Sequence, residues 1–280
     1  MDLELTRRLL TNGYHRTDEP RAPGAPIVVH AVAGAGKTTF LRSLLTFRDV
    51  EVFTAGTHDP PSLTGKHIRC ARAPLPGAFN ILDEYPAWKT YRTEPWQALF
   101  ADNLQHSQPS LRAHFTCDLT YRFGEATAAA LRLLGFSIRT QPTAHACAGL
   151  SWANFFEGYI YGQVITLDAA AHHLARSHGL NPITAEASRG LEFDVTTVLT
   201  TAEHVHDLPW KALVYVALTR HRRHCHIRSS AASASSSPLP QPARARHWSC
   251  GSGGAFHAHA LHTATRRRQH PRFAPRWLLP

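Results

Sequence analysis

Short apolar runs and helix-period stretches alternate along most of the chain. Residues 2–11 can form a short helix, and residues 17–26, with Pro20, Pro23, Gly24 and Pro26, read as a linker. Ile27-Val28-Val29 has the pattern of a short buried strand leading into a glycine-containing loop. Beyond the loop, Phe40, Leu41, Leu44 and Leu45 fall on one helical face. Glu51–Thr54 predicts the next strand, and Ala78–Leu82 another that ends in Asp83-Glu84. Val195–Leu199 and Leu213–Leu218 are the clearest late strands, although the second could equally start a helix. Strand and helix alternating in this way predict an α/β fold, a parallel sheet with helices on both faces.

The composition refines this picture. An apolar share of 43% can fill a core over most of the 280 residues, which suits one large or two modest domains. The five cysteines, Cys70, Cys117, Cys147, Cys225 and Cys250, form no Cys-x-x-Cys pair. That argues against a zinc ribbon or a disulfide framework and fits a reducing compartment. The acidic start Met1-Asp2-Leu3-Glu4 does not read as a signal peptide, and no run reaches the roughly 20 apolar residues of a membrane span. The formal charge of +10 is unevenly placed: residues 229–280 hold seven arginines and no Asp, Glu or Lys, and so carry seven of those ten charges. Ser230–Pro242 is rich in Ser, Ala and Pro, and the whole tail is expected to be disordered and able to hold polyanions.

The chemistry centres on Ala31-Val32-Ala33-Gly34-Ala35-Gly36-Lys37-Thr38, with a strand before it and a helix after it, the context a phosphate-binding loop requires. Gly34 and Gly36 allow the backbone to curl so that successive N–H groups, with Ala35 between them and Thr39 behind, face a phosphate. The helix beginning near Lys37 adds its positive end. Lys37 can place a charge on the β- and γ-phosphates, and Thr38 can ligate Mg²⁺. The first position of the pattern, usually glycine, is Ala31. Asp83-Glu84 ends a buried strand, where α/β sheets bind ligands: Asp83 would hold Mg²⁺ directly or through water, and Glu84 would polarise the attacking water. These residues predict a nucleoside triphosphate and Mg²⁺ site. The choice between ATP and GTP stays open.

Carried further along the chain, the residues resemble the first proteins of the plant-virus triple gene block. These are movement proteins related to superfamily 1 viral RNA helicases. The resemblance runs from about Ile27 to Arg228, with the motifs in family order. The phosphate loop matches motif I; Thr54–Pro60 looks like motif Ia, a single-strand contact in such helicases; Ile81–Tyr85 is similar to motif II. Ala98–Gln105 looks like motif III, which makes Gln105 a γ-phosphate sensor, with Ala101-Asp102-Asn103 in place of the usual Gly-Asp-Pro. Thr120–Gly124 looks like motif IV and assigns Arg122 to a phosphate. Thr184–Asp194 resembles motif V, with Arg189 where glutamine is common. Val214–Arg220 matches motif VI and makes Arg220 the arginine finger.

The resemblance implies two RecA-like lobes: residues 24–115 with motifs I to III and residues 116–228 with motifs IV to VI, after an N-terminal segment 1–23 and before the tail 229–280. It implies a Mg²⁺-dependent ATPase of the RNA-helicase type, with Lys37, Glu84, Gln105 and Arg220 as its catalytic residues. It implies cell-to-cell transport of viral RNA through plasmodesmata from the host cytoplasm, and suppression of host RNA silencing. The implied partners are viral single-stranded RNA, the coat protein, the small membrane proteins of the same gene block and further copies of the chain. The alternative is an RNA- and protein-binding scaffold whose nucleotide site is slow or non-catalytic.

Other residues read more plainly. His221, His224, Cys225 and His226 lack a second ligand cluster, so the string Arg220–Arg228 is expected to face phosphates or solvent rather than a metal. Trp88, Tyr91 and Trp96 could stack on bases but are expected to pack one edge of the first domain. Arg266–Arg268, with His270 and Trp277, could grip RNA or serve as a nuclear-type address. An overlapping reading frame could also account for the composition of the tail.

Overall fold

A computed structural model of the protein describes residues 1–107, 109–141 and 149–230. Helix α1 (Asp2–Thr11) buries Leu5 and Leu9, four residues apart and therefore on one face, against the core. The first sheet comprises β1 (His15–Arg16), β2 (Ile27–Ala31), β3 (Val50–Thr54), β4 (Arg69–Cys70), β5 (Phe79–Asp83), β6 (Ala98–Ala101) and β7 (Phe115–Cys117). Its order is β1-β7-β2-β6-β5-β3-β4, parallel throughout except for β1. β2 pairs on both sides and is buried at all five positions, which is why its sequence is mainly apolar rather than alternating; its one polar residue, His30, is bonded to the Tyr85 hydroxyl at 2.9 Å. Helix α2 (Lys37–Leu44) makes the crossover from β2 to β3. The carboxyl ends of β2, β3, β5 and β6 therefore gather on one edge.

The second sheet contains β10 (Gly149–Asn154), β11 (Gln163–Thr166), β12 (Ile183–Thr184), β13 (Phe193–Leu199) and β14 (His221–Ser229), in the order β10-β14-β13-β11-β12 and parallel throughout. A small parallel pair, β8 (Leu119–Thr120) with β9 (Arg139–Thr140), stands apart from both sheets, and α3 (Glu125–Leu133) links its two strands. Helix α4 (Ala169–Ser177) joins β11 to β12, and α5 (Lys211–Leu218) joins β13 to β14.

The apolar run 213–218, open to either reading in the sequence, is helical. It connects two neighbouring parallel strands, which a hairpin cannot do, and it is buried from Val214 to Leu218. The string Arg220–Arg228 is also corrected. From His221 on it belongs to β14, paired on both sides, with His221, Cys225, Ile227 and Arg228 buried; only Arg222 and Arg223 are exposed as expected, and Arg220 and Arg222 line the cavity described below. No group of three or more metal-ligating side chains occurs among the described residues. Trp96 is buried, and Trp88 and Tyr91 pack around it on the first sheet.

The expected divisions at 23/24 and 115/116 do not coincide with the sheets. β1 pairs with β7, and β7 pairs with β2, so residues 15–117 belong to one sheet and α1 to its core. One apolar cluster runs continuously from Leu5 to Ile227 and joins the two sheets. No described helix is long and apolar enough to cross a membrane. Beyond Ser230, the tail with Arg266–Arg268, and likewise Cys147 and Cys250, lies outside the described residues.

Candidate active site: a phosphate loop facing two arginines

β2 delivers the chain into the loop, and Gly34 and Gly36 take left-handed conformations at φ +76° and +82°. Gly34 has a second reason to be glycine. A Cβ there would lie 2.4 Å from Arg122 Cβ and 2.7 Å from Thr120 Oγ1. Ala31 is an ordinary strand residue without positive φ, so its methyl group enters the core without backbone strain. Gly36 caps α2, whose first-turn amides have no intrahelical acceptor and face the cleft. The back of the loop is fixed from the other side: Tyr121 N–H donates to Gly34 O at 2.9 Å and the Thr120 hydroxyl donates to Ala33 O at 2.8 Å.

Across the loop, Lys37 Nζ lies 2.6 Å from Glu84 Oε1 and 3.2 Å from Asp83 Oδ1. Burial alone would pull the lysine pKa down, but the two carboxylates reverse this and raise it. Burial raises Asp83, at the end of β5, to about 6 against the pull of Lys37. Glu84 is also partly desolvated, yet Lys37 and His106 hold it low, at about 2. The two carboxylates are therefore driven in opposite directions, Asp83 up by burial and Glu84 down by Lys37 and His106. Glu84 has φ +52°, the one non-glycine with positive φ among the described residues. Strain of this kind persists where surrounding contacts over-determine a side chain's direction.

From the second sheet's side come Arg122 and Arg220. Arg122 donates to Thr219 O at 3.1 Å and forms an ion pair with Glu192, whose other oxygen takes Arg222 at 2.8 Å. Burial works to raise the Glu192 pKa, but Arg122 and Arg222 hold it below the usual range. Arg220 is 1% exposed, and its guanidinium donates to Val216 O at 3.0 Å and the Thr219 hydroxyl at 2.8 Å. Burial, with Arg122 close by, lowers its pKa to about 10.

A cavity of about 920 Å³ joins these groups. Gly34, Gly36, Lys37, Thr38, Thr39, Asp83, Glu84, Gln105, Arg122 and Arg220 all line it, and so does the 54–60 stretch. Ala35 does not: its methyl is packed into the core. Asp83 Oδ1 is buried with no hydrogen bond, its contact being the Lys37 ion pair, and Thr38 is exposed in the same cavity. An unsaturated carboxylate oxygen and an exposed hydroxyl lining one cavity offer oxygen-only donors, which suit Mg²⁺.

Three further side chains line the cavity, Tyr121, Glu192 and Asp102, and a fourth, Tyr215, is buried behind it. Tyr121, 46% exposed, stands at the mouth beside the loop. Glu192 holds two arginines. Asp102 is buried beneath Gln105, and Tyr215, on α5, donates to Asp102 from the core side. For Tyr215 a signal existed: a buried tyrosine within an apolar run needs a partner for its hydroxyl.

Residues 27–229 match the viral superfamily 1 RNA helicase core domain. The movement and silencing protein TGBp1 of Foxtail mosaic virus is 52% identical over 81% of this chain and 96% of its own length. That of Plantago asiatica mosaic potexvirus is 36% identical over 79% of this chain and 94% of its own. Among solved structures, the Arterivirus nonstructural protein 10 helicase in complex with DNA superposes with a TM-score of 0.53 at 16% identity, covering 79% of this chain. The chain spans 63% of that helicase's length, and the likeness is one of fold.

Proposed function

The chain belongs to the viral superfamily 1 RNA helicase core family and, within it, to the TGBp1 movement and silencing proteins; from that premise we propose that it is an RNA-stimulated ATPase serving viral movement. The observation that carries this reading is Lys37 held on Asp83 and Glu84 at the phosphate loop, with Arg122 and Arg220 facing it across one cavity. The sheets act as two RecA-like lobes with ATP between them. The Gly34–Thr39 amides and Lys37 grip the β- and γ-phosphates, displacing Lys37 from its carboxylates. Glu84 accepts a proton from the attacking water as that oxygen bonds to the γ-phosphorus, and the bond to the β–γ bridging oxygen breaks to leave ADP and phosphate. Thr38 and Asp83 would hold Mg²⁺, which would supply charge neutralisation to the phosphates. Arg122 and Arg220 offset the charge spreading on the γ-phosphoryl group. Tyr121 offers a ring face on which a nucleobase can stack.

In this reading the protein binds viral single-stranded RNA across both lobes, works in the host cytoplasm and at plasmodesmata with coat protein, the small membrane proteins of the gene block and copies of itself, and suppresses RNA silencing. The nucleic acid bound to the arterivirus helicase and the names of the viral relatives support it. One observation favours the scaffold alternative: Arg220 is turned onto backbone carbonyls and must reorient before it meets a phosphate.

The test is ATP hydrolysis by the full chain, with and without single-stranded RNA, beside Lys37→Ala. RNA-stimulated turnover falling about 100-fold or more in the variant is expected. RNA binding without turnover, unchanged by the substitution, would establish the scaffold instead. Reporter-silencing assays with both proteins then show whether suppression requires the nucleotide site.

A further inference from the structure

The Tyr215 hydroxyl lies behind the cavity, where the phosphate loop, the Gln105 turn and helix α5 meet in space. It accepts the Ala33 N–H of the phosphate loop at 2.8 Å and donates to Asp102 Oδ2 at 2.9 Å. The same Asp102 oxygen accepts Gln105 Nε2 at 2.8 Å, and its Oδ1 accepts Leu104 N–H at 3.2 Å. The Tyr215, Asp102 and Gln105 side chains are buried, and the Tyr215 ring packs against Phe136 at 5.1 Å. Tyr215 thus joins α5, the helix that leads into Arg220, to the loop and to the Gln105 turn by one oxygen.

The bonding also orients Gln105. Its NH₂ is directed to a carboxylate, so its carbonyl oxygen is the end left for the cavity it lines. A carbonyl cannot bond a phosphate oxygen, since both accept, but it can accept a proton from water.

We propose that Tyr215 is a positioning residue of this site: through Asp102 it fixes Gln105 with its carbonyl towards the attacking water, and it locks that arrangement to the Ala33 amide. The role rests on the ATPase reading. Hydrogen bonds to a buried charged group are strong, so losing this one is expected to slow turnover about tenfold or more while leaving nucleotide affinity within about twofold.

The experiment is a double-mutant cycle on the full chain with Tyr215→Phe, Gln105→Ala and the pair, measuring kcat, KM and binding of a non-hydrolysable ATP analogue, with Lys37→Ala as the zero. Phenylalanine keeps the ring against Phe136. The expected result is a kcat loss in Tyr215→Phe at unchanged affinity, and a double variant no slower than Gln105→Ala, because Tyr215 acts through that residue. Tyr215→Phe equal to wild type, or losses that multiply in the pair, would overturn the proposal while the ATPase reading stands. A fall of kcat, affinity and Tm together would reduce Tyr215 to a packing role and overturn it too. Wild-type protein that binds the analogue but does not hydrolyse ATP would remove both readings.

Discussion

The two sides of the cavity hold their cations in opposite ways. On the first sheet, Lys37 lies on two carboxylates, which raise its pKa, and it stands where a phosphate would reach it. On the second, Arg220 is almost fully buried, appears in none of the described ion pairs, and is bonded to carbonyls and a hydroxyl while its pKa is lowered to about 10. A paired cation is satisfied until a stronger anion displaces its partner. A buried cation without a carboxylate is desolvated and under-compensated, so any anion brought near it gains a large interaction. The first side is built to bind, and the second to respond once something is bound.

The largest expected effect tests the first side. Glu84→Gln keeps the shape but removes the proton acceptor, and turnover is expected to fall about 1,000-fold with nucleotide affinity kept or improved, since a carboxylate no longer competes for Lys37. Pre-steady-state hydrolysis against analogue binding checks this. Equal losses in both would show that Glu84 serves the fold instead.

Each sheet also buries one neutral histidine, which puts the two sides on an equal footing for stability. Burial lowers His30, in β2, to about 4, and burial with His224 nearby does the same for His221, at the start of β14. Both unfolded-state values lie near 6.5, so the unfolded chain binds protons first as pH falls. Stability is therefore full above about 6.5 and drains away between there and about 4, by up to about 3 kcal/mol per histidine at about 1.4 kcal/mol per pH unit. Urea denaturation from pH 7.5 to 4.5 measures the slope. His30→Gln, which keeps a polar partner for the Tyr85 hydroxyl, should make the slope shallower, and an unchanged slope would contradict the assignment.

On the second side, Arg220→Lys keeps the charge but loses the fork of donors to Val216 and Thr219. Turnover is expected to drop about 30-fold with RNA-free nucleotide binding little changed. Isothermal titration with an ATP analogue beside turnover separates the two; weaker binding alone would place Arg220 in the ground-state grip.

The difference between the sides also decides what the sequence could show. Lys37, Asp83 and Glu84 are legible because strand, loop and helix fix them locally: an apolar run, two glycines at left-handed positions, and a strand end. Arg122 and Arg220 needed the family resemblance, since an arginine after an apolar run has no local geometry of its own. Tyr215, Asp102 and Glu192 escaped because their partners lie 113 and 70 residues away in sequence. The strand His221–Ser229 is masked in the sequence by its basic residues, which follow no period-2 pattern: Arg222 and Arg223 are both exposed and Arg228 is buried, in a strand flanked by β10 and β13. The join between the sheets was misplaced because β7 follows a loop yet pairs back on β2, a non-local contact that no window of sequence reports.

The smallest effect would sharpen the contrast. Glu192 holds Arg122 and Arg222 at the cavity's edge much as Glu84 holds Lys37, but it is a third exposed and so is partly screened. Any phosphate reaching Arg122 must draw it from this carboxylate and tolerate the negative charge beside it. Glu192→Gln relieves both, so ATP affinity is expected to tighten by about two- to threefold, more at low salt than at high. Weaker binding in the variant would mean that Glu192 aims Arg122 at the phosphate rather than competing for it, and the second side would then be as firmly preset for binding as the first.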